Sequence, residues 1–131
     1  MFSVKPMHPE DGYTLSRMLK TIEHRGPDGE GSYLDSERGL AMGHTRLSII
    51  DLHTGGQPIH SPDKSLTLTV NGEFYDFKKH RSHAMAEGER FRCKSDSEIA
   101  LTLYRKYGRA FVEHLRGEFA FALYDREKDE M

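Results

Sequence analysis

Cysteine and long apolar runs are what this sequence has least of. Its 131 residues contain a single cysteine, Cys93, which excludes an internal disulfide framework. The longest apolar runs are far too short to cross a bilayer. The segment Met1–His8 lacks the basic start and apolar core of a signal peptide. We therefore expect a soluble, cytoplasmic protein with no membrane partner.

Neither charge predominates in the chain. Nineteen Lys and Arg residues stand against 21 Asp and Glu residues, for a formal net charge of −2. No basic block is interleaved with aromatic residues, so nothing suggests a nucleic-acid partner. The eight histidines show no pairing with Cys or with a Glu at helical spacing that would form a tetrahedral site, and we expect no metal site. The length predicts one domain, 1–131.

Apolar periodicity gives a coarse secondary structure. Helical spacing predicts helices over Asp11–Ile22, Phe77–Glu87 and Ile99–Tyr107, with a further helical turn near Phe111–Leu115. Alternation predicts strands at Gly31–Leu34, Gly39–Ile50, Leu66–Val70, Glu73–Phe77, Arg90–Lys94 and Phe119–Tyr124. Hairpins outnumber crossovers, which favours mainly antiparallel sheets with helices on their faces. The fold class predicted from this order is α+β.

The pair Asn71-Gly72 stands between an alternating strand and the acidic Glu73. Asn-Gly is the commonest two-residue hairpin turn, and the pattern predicts such a turn here. The side-chain amide of an Asn and the backbone N–H of a neighbouring Gly can also donate hydrogen bonds that stabilise a developing oxyanion. A carboxylate next to them can bind an amino group. The residues alone leave both interpretations open.

Three other residues have both a structural and a functional interpretation. Arg46 lies at the end of a predicted strand, where its planar guanidinium group could bind a carboxylate through two hydrogen bonds. Asp96 belongs to Ser95–Glu98, a capping-box pattern, and is either a helix cap or a ligand. Cys93 shares one face of its predicted strand with Phe91, which favours a buried structural thiol over a nucleophile.

Six segments together resemble the glutaminase domain of glutamine-hydrolysing asparagine synthetase, a class II glutamine amidotransferase. In chain order they are His24–Gly29, Gly43–Leu52, Gly55–Pro58, Asn71–Tyr75, Ser95–Glu98 and Leu115–Ala122. The resemblance runs from about Met18 to Asp125. The Arg-Leu-Ser-Ile-Ile-Asp and Gly-Gly-Gln-Pro stretches look like the asparagine synthetase branch more than the sugar- or purine-forming ones.

The resemblance implies a fold and a substrate. The fold would be that of the N-terminal-nucleophile hydrolases, a four-layer α/β/β/α sandwich of mainly antiparallel sheets. The substrate would be L-glutamine, hydrolysed to glutamate and ammonia for the amidation of aspartate. By match to the family's motifs, Arg46 would hold the α-carboxylate of glutamine, and Glu73 and Asp96 would take its α-amino group.

The same match assigns the remaining site residues. Backbone atoms of Leu47 and Ile49 would line the pocket, and the Asn71 amide and the Gly72 N–H would form the oxyanion hole. Family members also expose an N-terminal cysteine, whose thiol attacks glutamine while its own α-amine acts as the base. This chain begins Met1-Phe2-Ser3-Val4 instead. We therefore expect the chain as given to be inactive, to retain weak glutamine binding, and to belong to a protein that begins upstream with a cysteine.

The resemblance also sets expectations about the rest of the protein. The sequence contains no Ser-Gly-Gly-x-Asp pyrophosphate loop, so ATP and magnesium are expected only for an absent synthetase domain, and no cofactor for this chain. The domain is thus expected to be truncated at both ends. Without its first strand it should expose a sheet edge, and we expect either self-association across that gap, for example as a homodimer, or local disorder near residues 1–10. Two alternatives stay open, a non-catalytic glutamine-binding module and an amidotransferase of another biosynthetic pathway.

Overall fold

The structure is a computed structural model that describes residues 7–47 and 56–131. Helix α1 (Pro9–Ile22) and a short 3-10 helix lead into the strands β1 (Gly29–Asp35) and β2 (Leu40–Arg46). These two strands form an antiparallel sheet in which Gly29 lies opposite Arg46. The predicted first helix is confirmed, and its first turn is closed by the Asp11 carboxylate, which accepts a hydrogen bond from the His8 N–H at 2.7 Å.

A second antiparallel sheet has the order β3-β4-β5. Its strands are β3 (Ile59–His60), β4 (Leu66–Phe74) and β5 (Gly117–Asp125). Between β4 and β5 the chain forms α2 (Phe77–Ala86), α3 (Ile99–Tyr107) and a 3-10 helix, Gly108–His114. The predicted strands at Leu66 and Phe119 and both predicted helices are confirmed, whereas β3 was not predicted from the sequence.

The elements stack as helix, sheet, sheet and helix. Helix α1 packs its buried residues Leu15 and Leu19 on β2. The two sheets meet where the rings of Tyr33 and His60 lie 5.3 Å apart. On the other side of the second sheet, α3 completes the main core, whose members include Leu68, Val70, Phe74, Ile99, Ala100 and Leu123. This is the four-layer α+β arrangement that the resemblance implied.

The predicted hairpin turn at Asn71-Gly72 is wrong. Strand β4 runs through both residues, which pair with Ala120 and Phe119 of β5. The local preference of Asn-Gly for a turn is overruled because β5 supplies a full ladder of partners on one side of β4. Asn71 and Gly72 therefore lie on a strand fixed by its neighbour, which is a more rigid support than a loop tip.

The predicted strand Arg90–Lys94 and the capping box Ser95–Glu98 are also wrong. The segment Arg90–Lys94 contains no strand, and α3 begins at Ile99 without a side-chain cap. The Glu98 carboxylate accepts hydrogen bonds from the N–H groups of Arg92 and Cys93 and from the Cys93 thiol, at 2.9–3.1 Å. Glu98 thus organises the loop before the helix and is not available to cap it.

The end of the second strand differs from its predicted position. The second strand was predicted to end in Leu47–Ile50, but β2 ends at Arg46, and Ser48 and Ile49 lie outside the described residues. Among residues 7–47 and 56–131, no helix is long and apolar enough to span a membrane.

Candidate functional site

A cavity of about 410 Å³ opens where the end of β2 meets the second half of β4. Six of the seven predicted site residues line it, and they come from three separate parts of the chain: Arg46, Leu47, Asn71, Gly72, Glu73 and Asp96. The seventh, Ile49, lies outside the residues that the structure describes. The fold therefore brings the groups singled out in the sequence to one concave surface.

One wall of the cavity is the end of β2. Arg46 is the last residue of this strand and lies opposite Gly29 in the ladder. Its carbonyl oxygen also accepts a hydrogen bond from the Asp28 N–H at 3.0 Å. Leu47 follows with 59% of its surface exposed, and Arg25 lines the cavity beside it. These backbone contacts fix the position of the Arg46 α-carbon, from which the side chain extends.

Another wall is the edge of β4 that faces away from β5, and among the described residues a side chain completes it. Strand β3 pairs with β4 only at Leu68 and Thr67. Beyond that point the Val70 N–H donates to Gln57 Oε1 at 2.6 Å, and Gln57 Nε2 donates to the Val70 carbonyl oxygen at 2.9 Å. The Gln57 amide therefore takes the place of a neighbouring strand and fixes the residue immediately before Asn71.

His44 reinforces the same contact from the other sheet. Its Nε2 lies 2.9 Å from the Val70 carbonyl oxygen, and because a carbonyl only accepts, this nitrogen carries the proton. Burial lowers the pKa of His44, the hydrogen bond to Val70 acts in the opposite direction, and the positive charge of Arg46 lowers it further. His44 is consequently a neutral donor at neutral pH.

Asp96 forms the floor of the cavity next to the end of β4. Its carboxylate is buried, with only 5% of the residue exposed. Oδ2 accepts a hydrogen bond from the Phe74 N–H at 2.6 Å, and Oδ1 accepts from the hydroxyls of Ser95 and Ser97 at 3.3 Å each. These contacts hold the carboxylate against β4, so Asp96 supports the strand as well as facing the cavity.

The charges on the cavity wall are of both signs. Arg25 and Arg46 supply guanidinium groups, while Glu73, Asp96 and Glu118 supply carboxylates. A guanidinium binds a carboxylate with two parallel hydrogen bonds, and carboxylates bind an ammonium group with charge-assisted ones. The chemistry of this wall suits a small zwitterion such as a free amino acid.

Nine lining residues had no role in the sequence-based assignment, and four of them carry charged, imidazole or amide side chains. These four are Arg25, His44, Gln57 and Glu118. Each lies inside one of the six segments that carry the resemblance, so membership in those segments was the available signal. Their roles depend on contacts between distant parts of the chain, such as that between Gln57 and Val70. Local sequence patterns do not predict such contacts.

Cys93 does not belong to the cavity. It is buried, with 8% of its surface exposed, and its Sγ donates to Glu98 Oε2 at 3.1 Å. The prediction of a buried structural thiol is confirmed.

The fold matches that of a known glutamine amidotransferase. The solved structure of glutamine phosphoribosylpyrophosphate amidotransferase from B. subtilis, complexed with ADP and GMP, aligns with a TM-score of 0.53 over 66% of this chain and 21% of that chain, at 23% identity. At this level of identity the likeness is one of fold, which the two chains share over the aligned part. The family model described as "Glutamine amidotransferase domain" matches residues 2–131, and the chain belongs to this family.

Similar sequences occur within much longer proteins. Asparagine synthetase B [glutamine-hydrolyzing] of Escherichia coli (strain K12) is 44% identical over 117 residues, which are 88% of this chain and 20% of that protein. Amidase chry2 of Gibberella zeae is 42% identical over 118 residues, which are 89% of this chain and 17% of that protein. The chain thus spans at most a fifth of the length of these relatives.

Proposed function

We propose that this chain is the glutamine-hydrolysing domain of an asparagine synthetase, which converts L-glutamine to glutamate and supplies ammonia for the amidation of aspartate. The observation that carries the proposal is the single cavity lined by Arg46, Asn71, Gly72, Glu73 and Asp96. The 44% identity to the Escherichia coli synthetase supports the choice of ammonia acceptor.

In this proposal the two charged groups on the α-carbon of glutamine bind to side chains of opposite charge. The Arg46 guanidinium receives the α-carboxylate in a bidentate pair, and Glu73 and Asp96 accept hydrogen bonds from the α-ammonium group. Leu47 lines the pocket beside them. Because charges of opposite sign lie at fixed positions, the free amino acid binds in one orientation with its carboxamide towards Asn71.

The oxyanion hole consists of the Asn71 side-chain amide and the Gly72 N–H. Backbone N–H groups alternate between the two edges of a strand. The N–H groups of Val70 and Phe74 meet Gln57 and Asp96 on the cavity edge of β4, and regular alternation puts the Gly72 N–H on that edge between them. Donors fixed in this way stabilise the negative charge that develops on the carboxamide oxygen when a thiolate attacks.

The nucleophile in this proposal is the N-terminal cysteine that the family resemblance implies. Its thiolate would attack the carboxamide carbon, ammonia would leave, and water would hydrolyse the thioester to glutamate. Cys93 cannot replace it, because that thiol is buried and bonded to Glu98. The chain as given should therefore bind glutamine without hydrolysing it.

Ammonia release tests the proposal. We expect none above a blank from the 131-residue chain, and clear release after Met-Cys-Gly-Ile-Ala-Gly is placed before Met1 and the initiator methionine is removed. In the extended chain, Asn71→Ala should lower the hydrolysis rate about 100- to 1,000-fold. A folded extended chain that binds glutamine but releases no ammonia would contradict the catalytic part. Failure of the original chain to bind glutamine would contradict the assignment of the pocket.

The partners proposed are L-glutamine and the synthetase domain of the full-length protein, where ATP and magnesium would act. Self-association as a homodimer stays a prediction, and sedimentation velocity of the 131-residue chain measures it directly.

A second candidate function keeps the glutamine chemistry but changes the ammonia acceptor. It is favoured by the 42% identity to amidase chry2, a protein not named for asparagine synthesis. Supplying the full-length protein with glutamine, ATP and magnesium distinguishes the two, because asparagine should form only when aspartate is the acceptor.

A further inference from the structure

Glu73 and Glu118 face each other directly across the ladder of β4 and β5. Opposed residues of an antiparallel pair project from the same face, with their β-carbons about 4.5–5.5 Å apart. Both residues line the cavity, and both are exposed. Within the part of the chain that the structure describes, neither carboxylate has a hydrogen bond or an ion pair with another side chain.

We expect this pair to destabilise the protein when no ligand is bound. Like charges placed directly opposite each other in a ladder are destabilising. Cavity residues that weaken the empty protein while lacking partners of their own are candidates for contact with a ligand of opposite charge. The cation expected in this cavity is the α-ammonium group of the amino acid.

The ammonium group needs more acceptors than Asp96 can offer. An ammonium group has three N–H donors, and an ionised carboxylate has about four lone-pair sites. Three donors already occupy the Asp96 carboxylate, namely the Phe74 N–H and the hydroxyls of Ser95 and Ser97. One site on Asp96 therefore remains, which leaves two of the three ammonium donors to be satisfied elsewhere.

We propose that Glu118 is a specificity-determining residue that, with Glu73 and Asp96, accepts a hydrogen bond from the substrate's α-ammonium group. The inference rests on the proposed function, since it requires a free amino acid in the cavity. Each carboxylate then receives one of the three ammonium protons, and the bound positive charge relieves the repulsion between Glu73 and Glu118. Glu118 thereby selects ligands that carry a free α-amino group.

The experiment compares Glu118→Gln with wild type, both as the full 131-residue chain. Glu113→Gln is the matched control, since Glu113 is an exposed acid on the 3-10 helix and does not line the cavity. Isothermal titration measures the Kd for L-glutamine and for 4-carbamoylbutanoate, which lacks only the α-amino group. Thermal unfolding without ligand provides a second readout.

Glu118→Gln should bind glutamine about three- to tenfold more weakly than wild type. Its Kd for 4-carbamoylbutanoate should not change, and its unfolding temperature without ligand should rise. Glu113→Gln should match wild type in all three measurements. If the analogue does not bind wild type, the change in glutamine affinity decides the question alone.

The outcomes separate this inference from the proposed function. Wild-type chain that does not bind glutamine overturns both. Wild-type chain that binds glutamine while Glu118→Gln binds it equally well overturns the role of Glu118 alone. An equal loss of affinity for both ligands also overturns it, because the lost contact would then not involve the α-amino group.

Discussion

The carbonyl oxygen of Glu73 lies 2.0 Å from the point where a β-carbon on Gly117 would stand. The relationship is reciprocal, since a β-carbon on Gly72 would lie 2.0 Å from the carbonyl oxygen of Glu118. Both glycines have positive φ angles, 153° at Gly117 and 129° at Gly72. Two glycines thus flank the Glu73–Glu118 pair diagonally and allow β4 and β5 to approach closely beside the proposed oxyanion hole.

Gly117→Ala tests this close approach. The new methyl group would collide with backbone, and the positive φ alone costs about 1–3 kcal/mol for a residue with a side chain. We expect the free energy of unfolding, measured in urea, to fall by at least that amount. Gly29→Ala is the control, because nothing lies within 4 Å of its β-carbon position. Equal stability of the two variants would contradict the close approach.

Gln57→Leu tests the side chain that completes the edge of β4. Val70 is 2% exposed, so loss of the Gln57 amide leaves its N–H buried without a partner. An unsatisfied buried donor costs about 1–3 kcal/mol. We expect lower stability and faster hydrogen exchange at the Val70 amide. The Thr69 amide, which alternation turns towards β5, is the internal control, and unchanged exchange at Val70 would refute the contact.

Two substitutions at Asp96 separate its structural and binding roles. Asp96→Ala removes the acceptor for the Phe74 N–H and should cost about 1–3 kcal/mol of stability. Asp96→Asn keeps a side-chain oxygen for that contact, so most of the stability should remain. Without the negative charge, however, glutamine should bind at least about tenfold more weakly. Titration of Asp96→Asn with glutamine checks this, and wild-type affinity would leave Asp96 with a structural role only.

His44 should make stability depend on pH. Its pKa is lowered in the folded protein, mainly by burial, so below the ordinary value of about 6.5 the unfolded chain binds the proton more readily. The difference in the free energy of unfolding between wild type and His44→Gln should therefore be largest above about pH 7. It should decline as the pH falls through 6.5 towards the pKa of His44 in the folded protein. Urea unfolding of both proteins between pH 7.5 and 5 measures this difference, which a flat profile would contradict.

Local patterns predicted those elements whose formation depends on a single buried face. Leu15 and Leu19 marked the face of α1 that packs on β2, and the alternation from Phe119 to Leu123 marked β5. Apolar periodicity indicates which face of a helix or strand is buried. This signal is local, because one face must contact the core whatever path the rest of the chain takes. The motif segments likewise indicated the chemical groups of the candidate site before their positions were known.

The same local rules gave wrong predictions where hydrogen bonds to residues outside the pattern determine the local conformation. Asn71-Gly72 has the sequence of a turn, yet Ala120 and Phe119 pair with it as strand. Ser95–Glu98 has the sequence of a capping box, yet Glu98 binds the loop that contains Arg92 and Cys93. In both cases the hydrogen bonds to partners outside the pattern outweigh a local preference of about 1 kcal/mol.

The sequence by itself determined which family the chain belongs to and which charged and polar groups it could bring to a ligand. Only the tertiary structure decided how those groups are held, with Gln57 on Val70 across 13 positions and Asp96 on Phe74 across 22. Hydrogen bonds over such separations depend on the path of the chain between the two residues. Side-chain identity specifies the donors and acceptors, and the folded backbone specifies which of them meet.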